Sequence, residues 1–457
     1  MSTTHLHSTW VKENFQPKNY QGVIFTGFNS IMLSSMTIVI DKFVDTIPLS
    51  FFEKYYKSNN KTGGRPNLDY KIMLKIYMYA LYNDISIRSL KNFNSIGSEL
   101  NFLSLGIHQF PKKSAFTKFL LVLDAHIDEI FVASIRFLLE QIELDLANLY
   151  CDGTVFEAHN NRHKIITDTN VVRSNKKWRA VLEDEKSSEE MKERATEKLK
   201  LNAEREKKLL ELGRTSYGRT DQDCVILKDK PGNFIAGYNV QFFEESKHGL
   251  IVHYYISNKN PDSAAFQATI NSLAGKYNVK QITMDTGYGT SDILNILEKL
   301  EIVPIVKALK NENANKKITD YSFELSENED ALICPEGQML EKTKVNDKGE
   351  TYFKAKNCMS CDRKKECSPK TKAKLVKINI DDYKLFRNAK RIAESELGKE
   401  SYSHRGNMCE SPNGFIKYNL NGKKLVMNGL KRNNTIIALY SILYNLRRLI
   451  SIKSIIN

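Results

Sequence analysis

The sequence lacks the features that place a protein outside the cell or in a membrane. The first 20 residues contain no apolar segment of the kind that forms the centre of a secretory signal. The longest apolar stretches, such as residues 130–139, are far shorter than the ~20 residues needed to cross a bilayer. The 7 cysteines are an odd and unevenly spaced set, which argues against a disulfide scaffold. We therefore expect a cytoplasmic protein with no membrane partner.

The chain is long and basic. Its 457 residues are 41% hydrophobic, which is enough for a substantial core and for two or three domains. Lysine and arginine number 68 against 54 aspartates and glutamates, so the formal net charge is +14. This charge suits a polyanionic partner such as nucleic acid, although many basic proteins bind none.

The amino-terminal part of the chain has a helical pattern. Residues 1–45 are mixed in character and are treated as an extension. From Leu68 the apolar residues follow helical spacing, Ser86 suits the N-cap of a second helix, and a third helix is expected from about Ser114 to residue 148. Residues 46–140 are therefore predicted to be an all-helical domain. It is either a helix-turn-helix-like DNA-binding unit or an ordinary helical domain.

After residue 140 the pattern changes to that of an α/β fold with a mixed sheet. Apolar runs predict strands at 147–152, 234–245, 249–258, 279–285 and 302–308, with helices between the later ones. A final helix is predicted to bury one apolar side and to end with Arg447 and Arg448, whose charge suits a helix carboxyl terminus. The residues expected on the apolar side are Ile436, Ile437, Leu439, Tyr440, Ile442, Leu443 and Leu446.

A charged segment interrupts the predicted sheet. Residues 175–215 are dense in Glu, Lys and Arg and contain few apolar side chains. This composition predicts a solvated helical arm rather than a specific binding surface. Gly213 is expected to stop its last helix.

A second insertion, residues 310–375, carries Cys334, Cys358, Cys361 and Cys367. A C-x-x-C pair with two further thiols can close the tetrahedral shell of a structural Zn²⁺ ion. The alternative is four unrelated reduced cysteines. Zinc is expected to staple a segment with too little apolar content to fold alone.

Two aspartates follow apolar runs and precede a nearby glycine. Asp152 in "LYCDGT" and Asp285 in "ITMDTGYG" are each expected to end a strand at the sheet edge where α/β proteins place ligands. Asp before Gly is also ordinary turn chemistry for either acid alone. Together on neighbouring strands, the two carboxylates can share a pair of divalent cations suited to phosphodiester chemistry.

A third carboxylate is sought in residues 401–419. Glu410 and Lys417 lie seven residues apart, so one helix face would present the acid to a metal and the lysine to a phosphate. Arg405 can supply forked donors to the same backbone. Pro412 requires the helix to begin close to Glu410 or to kink there. The alternative acids are Glu394, Glu396 and Glu400.

The stretches "YCDGTVFEA" and "MDTGYG", with the series Tyr402, Arg405, Glu410 and Lys417, resemble the acidic motifs of bacterial insertion-sequence transposases of the DDE class with a Y-R-E-K signature. The predicted hairpin at 237–258, the cysteine-bearing insertion and the helical stretch at 63–90 are similar to the same group. The likeness extends over about residues 45–450. One departure is the four residues between Arg405 and Glu410, where the commonest signature has three.

The resemblance implies a ribonuclease-H-like catalytic core over residues 141–457, interrupted by the charged arm and the zinc-binding insertion. Asp152, Asp285 and Glu410 are implied to bind two Mg²⁺ or Mn²⁺ ions and to catalyse DNA cleavage and strand transfer. The other three signature residues are implied to contact the DNA backbone. The implied partners are the double-stranded DNA of the element ends and the target, with a homodimer in the DNA complex. A metal-dependent nuclease without strand transfer and a non-catalytic DNA-binding remnant are the alternatives.

Overall fold

The computed structural model describes residues 34–48, 50, 52, 69–87, 89, 98–103, 111–229, 232–259, 262–307, 318, 320–367 and 372–456. Most of the predicted extension lies outside these residues, as does most of the second predicted helix, which Ser86 was expected to cap.

Helices of the amino-terminal region pack on one another and on the rest of the protein. The described ones are α1 (Ser35–Thr46), α2 (Tyr70–Tyr82), α3 (Ser98–Leu103) and α4 (Lys113–Gln141). The spacing-based prediction of α2 is confirmed, and Asp69 caps its first turn. A buried ion pair of 2.6 Å between Lys75 and Asp41 joins α2 to α1. The helix α4 begins near Ser114 as predicted but ends earlier than expected, since Ile142 is already extended.

The charged arm is a helical hairpin. After the strand β1 (Asn148–Glu157), the short strands β2 (Ile165–Thr167) and β3 (Ser216–Gly218) form an antiparallel ribbon. The helices α5 (Asp168–Glu183) and α6 (Glu189–Leu212) extend from this ribbon and pack against each other. Gly213 ends α6 in the left-handed conformation at φ 61°, as the sequence predicted.

The central sheet of the described chain has six strands. Besides β1 they are β4 (Val225–Lys228), β5 (Phe234–Glu245), β6 (Ile251–Ser257), β7 (Gln281–Met284) and β8 (Val303–Val306). Their order is β4-β5-β1-β7-β8, with β6 also paired to β5. β1 is antiparallel to β5 and parallel to β7, and β7 is parallel to β8. The helices α7 (Asp262–Lys276) and α8 (Ser291–Lys299) connect β6 to β7 and β7 to β8.

The expectation that β1 ends at Asp152 is wrong. β1 continues to Glu157 because the antiparallel neighbour β5 pairs with it throughout, from Leu149 opposite Glu245 to Glu157 opposite Gly237. Gly153 is therefore a strand residue and makes no turn. A Cβ atom at Gly153 would lie 2.5 Å from Asp262 Oδ1, so close packing explains the glycine.

The cysteine-bearing insertion has its own sheet and core. Its antiparallel strands are β9 (Glu324–Leu325), β10 (Ala331–Ile333), β11 (Met339–Val345), β12 (Thr351–Ala355) and β13 (Leu375–Ile378), with a short helix α9 (Lys364–Cys367). Phe323, Leu332, Leu340, Phe353 and Val376 form a separate buried cluster. The expectation of too little apolar content is therefore wrong, because alternate residues of the short strands point to one shared core.

The carboxyl-terminal part contains α10 (Ile380–Glu394), α11 (Glu396–Gly414) and α12 (Leu430–Ile456). Of the two alternatives expected from Pro412, a helix that begins close to Glu410 is wrong, because α11 begins at Glu396. It continues through Pro412 and then widens into a π-helical turn, Phe415–Asn419. Widening of this kind relieves a disturbed hydrogen-bond ladder and is often found at functional sites.

The last helix lies in the centre of the protein. All seven residues predicted for the apolar side of α12 are buried. The helix was expected to end with Arg447 and Arg448. This is wrong, because α12 continues to Ile456. The segment Leu430–Ser454 is long and apolar enough to cross a membrane, but most of its apolar part is buried inside the protein. One continuous core joins the amino-terminal helices, the central sheet and α12.

Candidate functional site

Two acids from distant parts of the chain meet at the end of the parallel pair β1 and β7. The last paired positions are Cys151 and Met284, so Asp152 and Asp285 follow side by side. One nitrogen of Arg405, Nη2, lies 2.8 Å from Asp152 Oδ1 and 3.9 Å from Asp285 Oδ2. Both carboxylates therefore converge on the same positive charge.

The two acids have different surroundings. Asp152 is only 6% exposed, and Asn413 Nδ2 donates to its second oxygen at 3.3 Å. The side chain of Asp285 is 52% exposed, and one of its oxygens accepts a 2.8 Å hydrogen bond from the Thr286 amide. Asp152 is therefore fixed by the protein, while Asp285 faces the solvent.

The helix α11 carries the positive partner of these acids. Burial acts to lower the pKa of Arg405, but the charge of Asp152 and the smaller contributions of its other neighbours together outweigh burial and leave that pKa above its ordinary value. Tyr402, one turn earlier, is half-buried, and Lys307 Nζ lies 5.1 Å from the centre of its ring. Burial and then the charge of Asp285 raise the pKa of the Tyr402 phenol. Tyr402 therefore remains a neutral donor beside Asp285.

Asp152 and Asp285 open into a cleft of about 680 Å³. Glu410, Arg405 and Lys417 also line it, so all three predicted acids border one cleft. Lys417 lies in the π-helical turn, where Nζ donates to Thr154 and lies 5.1 Å from the centre of the Phe156 ring. The alternative acids Glu394, Glu396 and Glu400 do not line this cleft, and Glu400 borders a different cavity.

The donor set of the cleft fits a hard divalent cation, because carboxylate oxygens are the ligands that Mg²⁺ prefers. In the part of the chain that the structure describes, no three His, Cys, Asp or Glu side chains are grouped closely enough to hold a metal ion. Arg405 occupies the space between Asp152 and Asp285 that a cation would share. The observed arrangement is thus one in which a guanidinium group neutralises the acids.

Two further residues of the site were missed from the sequence. Asn413 binds Asp152, and Glu244 on β5 is fully buried on the same sheet face, since it pairs with Tyr150, two residues before Asp152. Burial, and then the charge of Asp152, hold the pKa of Glu244 well above its ordinary value. The period of two in β5 was the available signal, because it places Glu244 on the same face as Phe242.

The four cysteines of the insertion line one small cavity of about 30 Å³. Two of the sulfurs accept backbone hydrogen bonds, Cys334 from Gln338 at 3.2 Å and Cys358 from Lys374 at 3.4 Å. All four thiols border this cavity, but among the described residues they are not grouped closely enough to hold a metal ion.

Comparison with known families identifies two regions of the chain. Residues 333–450 match a model described as "Transposase DDE domain", which includes the four cysteines, α11 and Lys417. Residues 30–120 match "Transposase domain (DUF772)". No curated protein matches the chain significantly. Neither family match reaches Asp152 or Asp285, whose convergence is seen only in the fold. Both matched regions are similar to transposase domains, which supports the resemblance of the chain to DDE-type insertion-sequence transposases.

Proposed function

We propose that this protein is a DDE transposase that binds the ends of an insertion sequence and catalyses Mg²⁺-dependent cleavage and transfer of DNA strands. The observation that carries the proposal is the position of Arg405 Nη2, within 3.9 Å of both Asp152 and Asp285. One buried acid, one solvent-facing acid and a compensating cation converge at the end of the paired parallel strands, in a basic protein that matches a transposase domain.

In this proposal Asp152, Asp285 and Glu410 hold two Mg²⁺ or Mn²⁺ ions. Bound there, the ions would activate the attacking oxygen and stabilise the leaving one. Arg405 offsets the negative charge of the acids until the ions bind, and afterwards it is available to a phosphate. Lys417 lines the cleft and Tyr402 lies beside Asp285, and both contact the DNA backbone. The reaction takes place in the bacterial cytoplasm, at the nucleoid, and a homodimer pairs the two element ends.

We also propose that the core is ribonuclease-H-like. The order β6-β5-β1-β7-β8 supports this, since an antiparallel meander is followed by two parallel strands joined through helices. The domain limits at 46–140 and 141–457, with insertions at 175–215 and 310–375, and the DNA-binding role of the first domain belong to the same proposal.

The central test is the substitution Asp152→Asn in the full-length protein. A plasmid carrying the element with its own ends is incubated with Mg²⁺, and strand cleavage and joining of pre-cleaved ends are measured separately. We expect both reactions to be lost, because one carboxylate of the metal site is removed. Asp347→Asn, at the exposed tip of the β11–β12 hairpin, removes the same charge outside the cleft and should retain activity.

Equal activity of the two variants would defeat the assignment of Asp152. Cleavage without joining in the wild-type protein would instead indicate a metal-dependent nuclease. Thermal unfolding of both variants shows whether a loss of activity reflects a loss of the fold.

A structural Zn²⁺ ion bound by Cys334, Cys358, Cys361 and Cys367 completes the proposal. The shared cavity and the backbone hydrogen bonds to two sulfurs support it. Metal analysis of protein purified under reducing conditions should find stoichiometric zinc in the wild type. Cys358→Ser should lose it, while Cys224→Ser, a buried cysteine outside the insertion, should keep it. Absence of zinc from the wild type would refute this part.

A further inference from the structure

A second cavity lies beside the acidic cleft. It has a volume of about 550 Å³ and is lined by Glu157, His159, His163, Lys164, Thr220 and Lys424, among others. Glu157 and Ile235 line both this cavity and the cleft that contains Asp152. The two spaces therefore adjoin at the end of β1.

The walls of the second cavity are held in place by buried contacts. Asn160 is 4% exposed, and its side-chain oxygen accepts a 3.0 Å hydrogen bond from the Thr220 amide. The Arg219 amide donates to the carbonyl oxygen of Lys164 at 3.2 Å. With its backbone fixed to the segment after β3, the loop after β1 leaves His159, His163 and Lys164 exposed.

The opposite wall is fixed to β1 itself. The Glu157 amide donates to the Lys423 carbonyl at 3.0 Å, and the Leu425 amide donates to the Glu157 carbonyl at 2.7 Å. Lys424 is held between these bonds, with Nζ 3.5 Å from Glu157 Oε1. Main-chain pairing with β1 thus fixes the backbone of Lys424, and its ammonium group lies beside Glu157.

The cavity is suited to a polyanion. Glu157 is its only carboxylate among the lining residues and is already paired with Lys424, so the charge of Lys164 is not offset there. Positive charge continues on α5, which follows β2 directly. Its exposed cations are Arg173, Lys176, Lys177 and Arg179, with no acid between Thr169 and Leu182. A lysine-lined groove with amide and imidazole donors matches the phosphates of a nucleic-acid strand.

We propose that this second cavity binds the backbone of the DNA next to the phosphate that reacts in the acidic cleft. The inference rests on the proposed function for the identity of the polyanion. Lys164 and Lys424 each contact a phosphate, and the two imidazoles donate to the same stretch of backbone. DNA would then run from Asp152 past Glu157 toward the helical arm.

The test is the salt dependence of DNA binding. Binding of a fluorescent DNA duplex of arbitrary sequence to the full-length protein is measured by anisotropy over a series of salt concentrations. The slope of log Kobs against log salt is negative, and each lost phosphate contact reduces its steepness by about 0.9. We therefore expect the double variant Lys164→Ala, Lys424→Ala to have a slope that is less steep than that of the wild type by about 2.

The matched control is Lys276→Ala, Lys299→Ala. These exposed lysines end α7 and α8 and precede the opposite ends of β7 and β8, so the same charge is lost on the far edge of the sheet. The control should keep the wild-type slope, and Lys164→Arg, Lys424→Arg should retain it too. Thermal unfolding confirms that all variants are folded.

Equal slopes for the cavity variant and the control variant would overturn the proposal, because a loss of general charge would then explain any weakening. The readout uses binding without cleavage. If the cavity variant shows the predicted difference in slope from the wild type but the wild type cleaves no DNA, the cavity assignment stands. Only the proposed catalytic function is then defeated.

Discussion

Replacement of Arg405 by glutamine should destabilise the protein in the absence of divalent ions. The ion pair with Asp152 is mostly buried, with 17% and 9% of the two side chains exposed. At 2.8 Å and an effective dielectric constant of about 20, its Coulomb energy is about 6 kcal/mol before desolvation is subtracted. Removing one partner of a buried pair costs about 3–5 kcal/mol. Because Asn413 still donates to Asp152, we expect a loss of about 3 kcal/mol.

For a chain of this length, that loss lowers the Tm by roughly 3 °C. Thermal unfolding with EDTA and then with Mg²⁺ measures both parts of the prediction. Mg²⁺ should restore more stability to Arg405→Gln than to the wild type, since the ion and the guanidinium group compete for one carboxylate oxygen. Arg391→Gln, an exposed arginine on α10, is the control. If both variants unfold at the same temperature with EDTA, Arg405 does not hold the buried carboxylate.

Two further predictions concern the central sheet. Gly153→Ala places a methyl group 2.5 Å from Asp262 Oδ1 and 2.6 Å from Gln241 Nε2, so we expect a loss of about 1–3 kcal/mol in urea unfolding and reduced cleavage; unchanged values would contradict the packing argument. His253 is buried with Nε2 2.8 Å from Thr269, and burial lowers its pKa from 6.5 to about 3. The unfolded chain binds this proton below pH 6.5, whereas the folded chain binds it only near pH 3. The free energy of unfolding therefore decreases as the pH is lowered, by about 2 kcal/mol at pH 5. His253→Asn should reduce the difference between urea midpoints at pH 7 and pH 5, and an unchanged difference would count against this origin.

Much of the fold could be predicted from local patterns. The bounds of β5 match its apolar run, and the segment dense in Glu, Lys and Arg forms the two helices of the arm. Such predictions succeed because periodicity and composition act over a few neighbouring residues. The end of β1 was missed because pairing with β5, about 80–90 residues later, keeps the strand extended beyond Asp152.

The candidate site also contains residues that local motifs predict and residues whose roles depend on distant contacts. Its acids could be selected from the sequence because each stands in a recognisable local motif, and the same holds for the cysteines. The roles of Arg405 and Asn413 could not, because α11 reaches Asp152 only after the chain has folded over some 250 residues.

By itself, the sequence determined which side chains are available for chemistry and which short segments become helices and strands. Tertiary structure alone decided that Asp152 is buried, that Arg405 neutralises it, and that the cleft adjoins a second cavity at Glu157. The physical reason is that burial and charge pairing depend on which distant residues come within a few ångströms, and no local pattern encodes those distances.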